Sequence, residues 1–130
     1  LLKGVIDPGD ALLAANHGVS GIIVSNHGGR TLDTVPAAIE VLPRVADLLQ
    51  GSLPLLVDGG IRRGTDILKA LALGASAVMV GRPLVHGLAA AGATGVAHVL
   101  KILRTELEIA MALTGRPTLA SIDASVLWAR

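Results

Sequence analysis

The sequence predicts an α/β fold, the C-terminal half of a (β/α)8 TIM barrel with parallel strands and outer helices. Three observations predict it. Short apolar runs alternate with helical segments, the pattern of a parallel sheet covered by helices. The runs are rich in β-branched residues, as strands buried on both faces should be. Each run also delivers its polar residues at its C-terminal end, where a barrel gathers its active site from many strands at once. A whole barrel needs about 250 residues, and this chain has 130. It would therefore hold about half of one, strand–helix units 5 or 6 to 8.

The elements follow in order. Leu1-Leu2-Lys3 reads as the tail of a strand. Asp7 can cap a helix over residues 8–17, with Pro8 in its first turn and Gly18 as its terminating glycine. Gly21-Ile22-Ile23-Val24-Ser25 is the next strand. Thr34 can cap a helix from about Val35 to Leu49, with Pro36 in the first turn. The internal Pro43 predicts a kink or a break. Pro54-Leu55-Leu56-Val57-Asp58 is a third strand, followed by a helix from Asp66 to Leu73 that Thr65 caps and Gly74 closes. Ala77-Val78-Met79-Val80-Gly81 is a fourth. Pro83 begins a short helix ending near Ala91. A longer one covers residues 94–114, its stripe formed by Val96, Val99, Leu100, Leu103, Leu107 and Met111. Gly115-Arg116-Pro117 stops it. Residues 1–115 are thus expected to form the half barrel and 116–130 a tail packed on it. A half barrel alone exposes two strand edges and an apolar inner face, so a missing N-terminal half is expected, in the same polypeptide or a separate one.

Composition removes several function classes. The chain is 52% hydrophobic and 16% charged, with a formal net charge of +1 and a single aromatic residue, Trp128. It offers neither a basic face nor stacking platforms for nucleic acid. It has no cysteine, hence no disulfide or thiolate site, which fits a reducing cytoplasm. No uninterrupted apolar run reaches the length of about 18 residues that a membrane span requires. No histidines and carboxylates show metal-ligand spacing, so no metal is expected. His17 reads as a helix-end residue favoured by the helix dipole. His86 and His98 read as packing or surface residues on outer helices.

Two loops carry the chemistry. In Asp58-Gly59-Gly60-Ile61-Arg62-Arg63-Gly64, the two glycines let the backbone approach a ligand and turn N–H groups inward. Arg62 can fork onto phosphate oxygens, and the following helix adds its positive end. The next strand ends in Gly81-Arg82-Pro83, a second backbone amide and a second guanidinium. The two strand ends together point to a phosphate site of the kind barrels build after strands 7 and 8. Asp58 repels phosphate and is expected to accept hydrogen bonds or orient an arginine. The second loop is Ser25-Asn26-His27-Gly28-Gly29-Arg30. His27 can take a proton near neutral pH, and Arg30 can hold a carboxylate bidentately. Lys3 adds a fixed cation where negative charge develops. Together they point to proton removal from an anionic substrate.

These segments, with Lys3-Gly4-Val5 and Lys69-Ala70-Leu71-Ala72-Leu73-Gly74-Ala75, resemble the C-terminal half of the FMN-dependent 2-hydroxy-acid dehydrogenases and oxidases. That family includes glycolate oxidase, lactate oxidase, mandelate dehydrogenase and hydroxymandelate oxidase. The match runs in order through almost the whole chain. The histidine loop is specific to the family; the Asp-Gly-Gly and Gly-Arg segments are shared among phosphate-binding barrels. The resemblance implies FMN-dependent oxidation of an L-2-hydroxy acid to the 2-oxo acid. His27 would be the base and Arg30 would bind the substrate carboxylate. Lys3 would lie against the flavin N1/O2 edge and Ser25 against the ring or ribityl chain. Asp58, Gly59, Gly60, Ile61, Arg62, Gly81 and Arg82 would hold the ribityl chain and phosphate. It also implies a homotetramer. The family's tyrosines and the aspartate that pairs with the base belong to its N-terminal half, and this chain has no tyrosine. Activity is therefore expected only with that half present. Rival readings are another phosphate-binding barrel enzyme, resembling type 2 isopentenyl diphosphate isomerase or inosine monophosphate dehydrogenase, or a non-catalytic module or fragment. Neither barrel enzyme accounts for His27 and Arg30, and the second needs a cysteine.

Overall fold

The computed structural model describes residues 1–128. Four parallel strands form one sheet in the order β1 (Leu2–Val5), β2 (Ile22–Val24), β3 (Leu55–Asp58) and β4 (Ala77–Met79). Between them run α1 (Pro8–Asn16), α2 (Ala38–Leu49) and α3 (Gly64–Ala72), with α4 (Arg82–Leu113) after β4. Short 3-10 turns at Leu119–Ser121 and Ala124–Val126 follow. The strand order equals the chain order, as successive units of a β/α barrel require.

Strand register decides which side chains reach the site. Val24 and Val57 stand opposite each other and are fully buried in the core between sheet and helices. Side chains alternate across a strand, so Ile23, Ser25, Leu56 and Asp58 turn to the other face. Lys3 pairs with Ile23 and Val5 with Val24, so two residues of β1 advance against one of β2. This is a β-bulge, and the extra residue is Gly4 at φ +97°. Without it Lys3 and Val5 would share a face. With it, Val5 enters the core and Lys3 joins Ser25 and Asp58.

Helix starts differ from the sequence expectation in two places. Asp7 caps α1 as expected, its Oδ1 accepting from Gly9 N at 2.8 Å and Asp10 N at 3.1 Å. Helix α2, however, begins at Ala38 rather than Val35, and Thr34 does not cap it. Pro36 disfavours helical backbone at Val35, and Pro36 O is taken by Asn26 Nδ2 at 3.2 Å. Helix α2 then continues through Pro43. Pro43 removes one N–H from the helix interior, and the buried stripe of Ala38, Val41, Leu42, Val45 and Leu49 holds the helix in place. Helix α3 begins at Gly64, and Asp66 rather than Thr65 satisfies its first turn, accepting from Arg62 N at 3.0 Å and Arg63 N at 2.9 Å.

Helix α4 breaks where the sequence predicts, with non-helical backbone at Ala91 and Gly92. By length and composition α4 could cross a membrane, yet the break folds it into two arms. A straight helix would separate Gly87 and Gly95 by about 12 Å. Here a Cβ on Gly95 would stand 1.9 Å from Gly87 O, so the arms cross on paired glycines. In the tail, Arg116 Nη2 donates to Asp123 Oδ1 at 3.2 Å. Residues 129 and 130 of the expected tail lie outside the described residues.

Candidate active site

The C-terminal ends of all four strands open on one groove of about 1090 Å³. Lys3, His27, Arg30, Asp58, Gly59, Gly60, Ile61, Arg62, Gly81 and Arg82 all line it, so the structure brings together nearly every expected site residue. Ser25 is the exception. It is 1% exposed and lies beneath the groove, where its Oγ accepts from Lys3 Nζ at 3.0 Å and from His27 N at 3.1 Å. One buried hydroxyl thus fixes the ammonium and the histidine backbone together.

His27 sits in a tight turn over His27–Gly29. Its φ of +54° lies in the left-handed region, a conformation that non-glycine residues keep mainly where the surroundings impose it. Asn26 imposes it from one side, Oδ1 accepting from Gly28 N at 3.0 Å while Nδ2 ties the turn to Pro36. Gly4 makes room for the ring on the other side, since a Cβ there would stand 2.6 Å from His27 Cε1. The imidazole therefore lies directly against the β1 bulge.

Among the described residues, Asp58 pairs with a lysine and with none of the three groove arginines. Its Oδ2 lies 2.9 Å from Lys3 Nζ, while its Oδ1 is buried and, among the described residues, accepts no hydrogen bond. A buried carboxylate oxygen without a donor is costly in an isolated protein. On a groove wall it is a ready acceptor for a ligand hydroxyl. Gly59 and Gly60, at φ +91° and +81°, form the adjoining wall, and a Cβ on Gly60 or Gly81 would meet nothing within 4 Å. The space is available to a ligand.

The phosphate end differs from the sequence expectation in one respect. The N–H groups of Arg62, Arg63 and Gly64 at the start of α3 are occupied by Asp66 and Glu106 carboxylates. That helix end is therefore already neutralised from outside the groove. The start of α4 has no side-chain cap at Gly81, so its positive end is the one turned to the groove beside Arg82. Arg82 also reaches toward the histidine loop, since a Cβ on Gly28 would lie 3.7 Å from its Nη2.

His86 also lines the groove, against its expected place on the outer surface. It follows Arg82 by one helical turn, and residues four apart share a helix face, a spacing readable in the sequence. Thr31 and Met79 are further lining residues that sequence reasoning missed. Among the described residues, four cationic side chains line the groove, Lys3, Arg30, Arg62 and Arg82, against one carboxylate, Asp58. A chain with formal net charge of only +1 has concentrated positive charge at one mouth, a focusing field for an anionic ligand.

Fold and groove together define part of a β/α barrel with a cationic groove at its strand ends. The model of the FMN-dependent dehydrogenase family matches residues 1–129, and the chain belongs to that family. It is 56% identical to a 2-hydroxyacid oxidase of Dictyostelium discoideum over 98% of this chain and 33% of that protein. It is 55% identical to an L-lactate oxidase of Roseobacter sp. over 98% of this chain and 34% of the relative. A solved mandelate oxidase variant with a monooxide FMN adduct superposes with a TM-score of 0.91 at 49% identity, covering 93% of this chain and 38% of that one. The chain spans about a third of the length of the curated relatives it matches. FMN is the family's cofactor. The residues present suit it, with an unpartnered Asp58 oxygen for a hydroxyl, open glycine walls, and arginines at the phosphate end.

Proposed function

We propose that this chain supplies the base, the carboxylate clamp and the phosphate cup for FMN-dependent oxidation of an L-2-hydroxy acid to the 2-oxo acid. The single observation that supports the reading is that Lys3, His27 and Arg30 line the same groove as the glycine–arginine cup. A flavin with its phosphate in that cup would place its ring beside the three. When bound, FMN accepts the two electrons that the hydroxy acid loses.

The chain's own residues do the rest. Arg30 holds the substrate carboxylate by a forked, charge-assisted pair. An imidazole nitrogen of His27 takes a proton as the hydroxyl-bearing carbon becomes a carbonyl. Its left-handed backbone and its packing on Gly4 orient the ring, which is how an enzyme converts orientation into rate. The Lys3 ammonium, positioned by Ser25 and Asp58, offers a preorganised positive charge where the flavin ring gains negative charge. Asp58, Gly59, Gly60, Ile61, Arg62, Gly81 and Arg82 hold the ribityl chain and phosphate. The tyrosines and the base-pairing aspartate of the family's other half would complete the site, in a homotetramer.

The test is anaerobic reduction of bound flavin by L-lactate, glycolate or L-mandelate in the complete barrel, followed by absorbance. His27→Ala should abolish reduction, a loss of at least about 100-fold for a missing base, with FMN still bound. Loss of FMN from that variant would instead remove His27 from the role of base.

A further inference from the structure

Away from the groove, a polar cluster joins the start of α3 to the far arm of α4. Arg63 Nε donates to both carboxylate oxygens of Glu106, at 2.9 and 3.0 Å. Glu106 Oε2 also accepts from Gly64 N at 2.8 Å. The backbones meet here, since a Cβ on Gly64 would stand 2.1 Å from Leu107 N. The Gly64 N–H, and after it the Arg63 side chain, hold the Glu106 carboxyl below its usual range, so the clasp is built around the charged form.

The clasp bears on the groove through two adjacent arginines. Arg62 lines the groove; Arg63, the next residue, is drawn outward by Glu106. The Gly59–Arg62 loop is thereby anchored at its end to α4. The other half of the cup, Gly81-Arg82, is anchored to α4 at its first residue. One element thus holds both halves of the cup, covalently at one end and through Glu106 at the other. Resting on the FMN reading above, we propose that Glu106 is a positioning residue for the cofactor phosphate. It sets the Gly59–Arg62 loop against Gly81-Arg82 and holds Arg63 out of the groove. The Arg63 side chain is 70% exposed and that of Glu106 25%; an ion pair open on one side adds little to folding stability, so the effect of the Arg63 fork belongs to ligand geometry.

The complete barrel, stripped of flavin, is titrated with FMN and separately with riboflavin, which lacks the phosphate. Glu106→Gln keeps an oxygen for Gly64 N and loses the ionic fork to Arg63. It should weaken FMN binding by roughly tenfold, the scale seen when the supporting partner of a binding group is removed, and leave riboflavin binding unchanged. Arg63→Gln should do the same, and the double variant should lose no more than either single one, because the two act as one unit. Unchanged FMN affinity in both variants overturns the proposal, and so does an equal loss for FMN and riboflavin, which would mean general support of the fold. A wild-type barrel that binds neither flavin overturns the FMN reading itself, and the role of Glu106 with it.

Discussion

Gly4 lies where backbone geometry and chemistry meet. Its φ of +97° permits the bulge that sends Lys3 and Val5 to opposite faces, and its missing side chain leaves room for the His27 ring. Gly4→Ala should therefore strain β1 and displace the imidazole together, while the phosphate cup, built on other strands, keeps its shape. We expect flavin reduction in the complete barrel to fall by about 100-fold, the cost of misplacing a reacting group by about an ångström, with FMN retained. Stopped-flow reduction alongside an FMN titration checks it; an unimpaired rate would show that the ring has room to spare. Lys3, His27, Arg30 and the glycine pair at 59 and 60 were legible in the sequence because their chemistry is unusual at strand ends. Gly4 and Ser25 were not legible in these roles, since a bulge and a buried bracket depend on register between strands. His86 is legible by helix periodicity, four residues after Arg82 on the same face.

Among the elements, α4 links the fold to the site most directly. Its reversal at Ala91 and Gly92 was visible as a gap between two helical patterns. The crossing of Gly87 on Gly95 was not, because close contact between arms depends on the angle between them. Glu106 lies 42 residues beyond Gly64, too far for any local pattern to join them. The helix starts, by contrast, turn on local signals: Asp66 accepts from Arg62 N and Arg63 N, and Pro36 disfavours helical backbone at Val35, so Thr65 and Thr34 do not cap. Gly95→Ala would place a methyl group 1.9 Å from Gly87 O, against backbone rather than a yielding side chain. The arms must separate, at a cost of roughly 3 kcal/mol by the measure of overpacked cores. A lowered urea midpoint for the complete barrel, with an unchanged denaturant slope, is the expected result. Unaltered stability would mean that the arms part freely.

At the scale of the whole molecule, the sheet is half satisfied. Its helix-facing side is a continuous core, including Ile22, Leu42, Val45 and Val57, all fully buried. On the opposite side Leu56 is half-buried, and Ala77 and Met79 are exposed. Both β1 and β4 end the sheet with one open edge. Barrels abolish such edges by closure, and the chain covers only about a third of its relatives' length. The groove reflects the same condition, since Lys3, His27 and Arg30 approach it from one side only. A flavin ring laid there would be held by its phosphate and ribityl chain, with one face and much of the substrate pocket lacking a protein wall. We therefore expect the 130-residue chain expressed alone to associate through its open edges and inner face, and to bind FMN far more weakly than a complete barrel. Gel filtration with a parallel FMN fluorescence titration tests both expectations. A monodisperse monomer carrying stoichiometric flavin would show that four strands suffice for the site and that closure serves only the substrate.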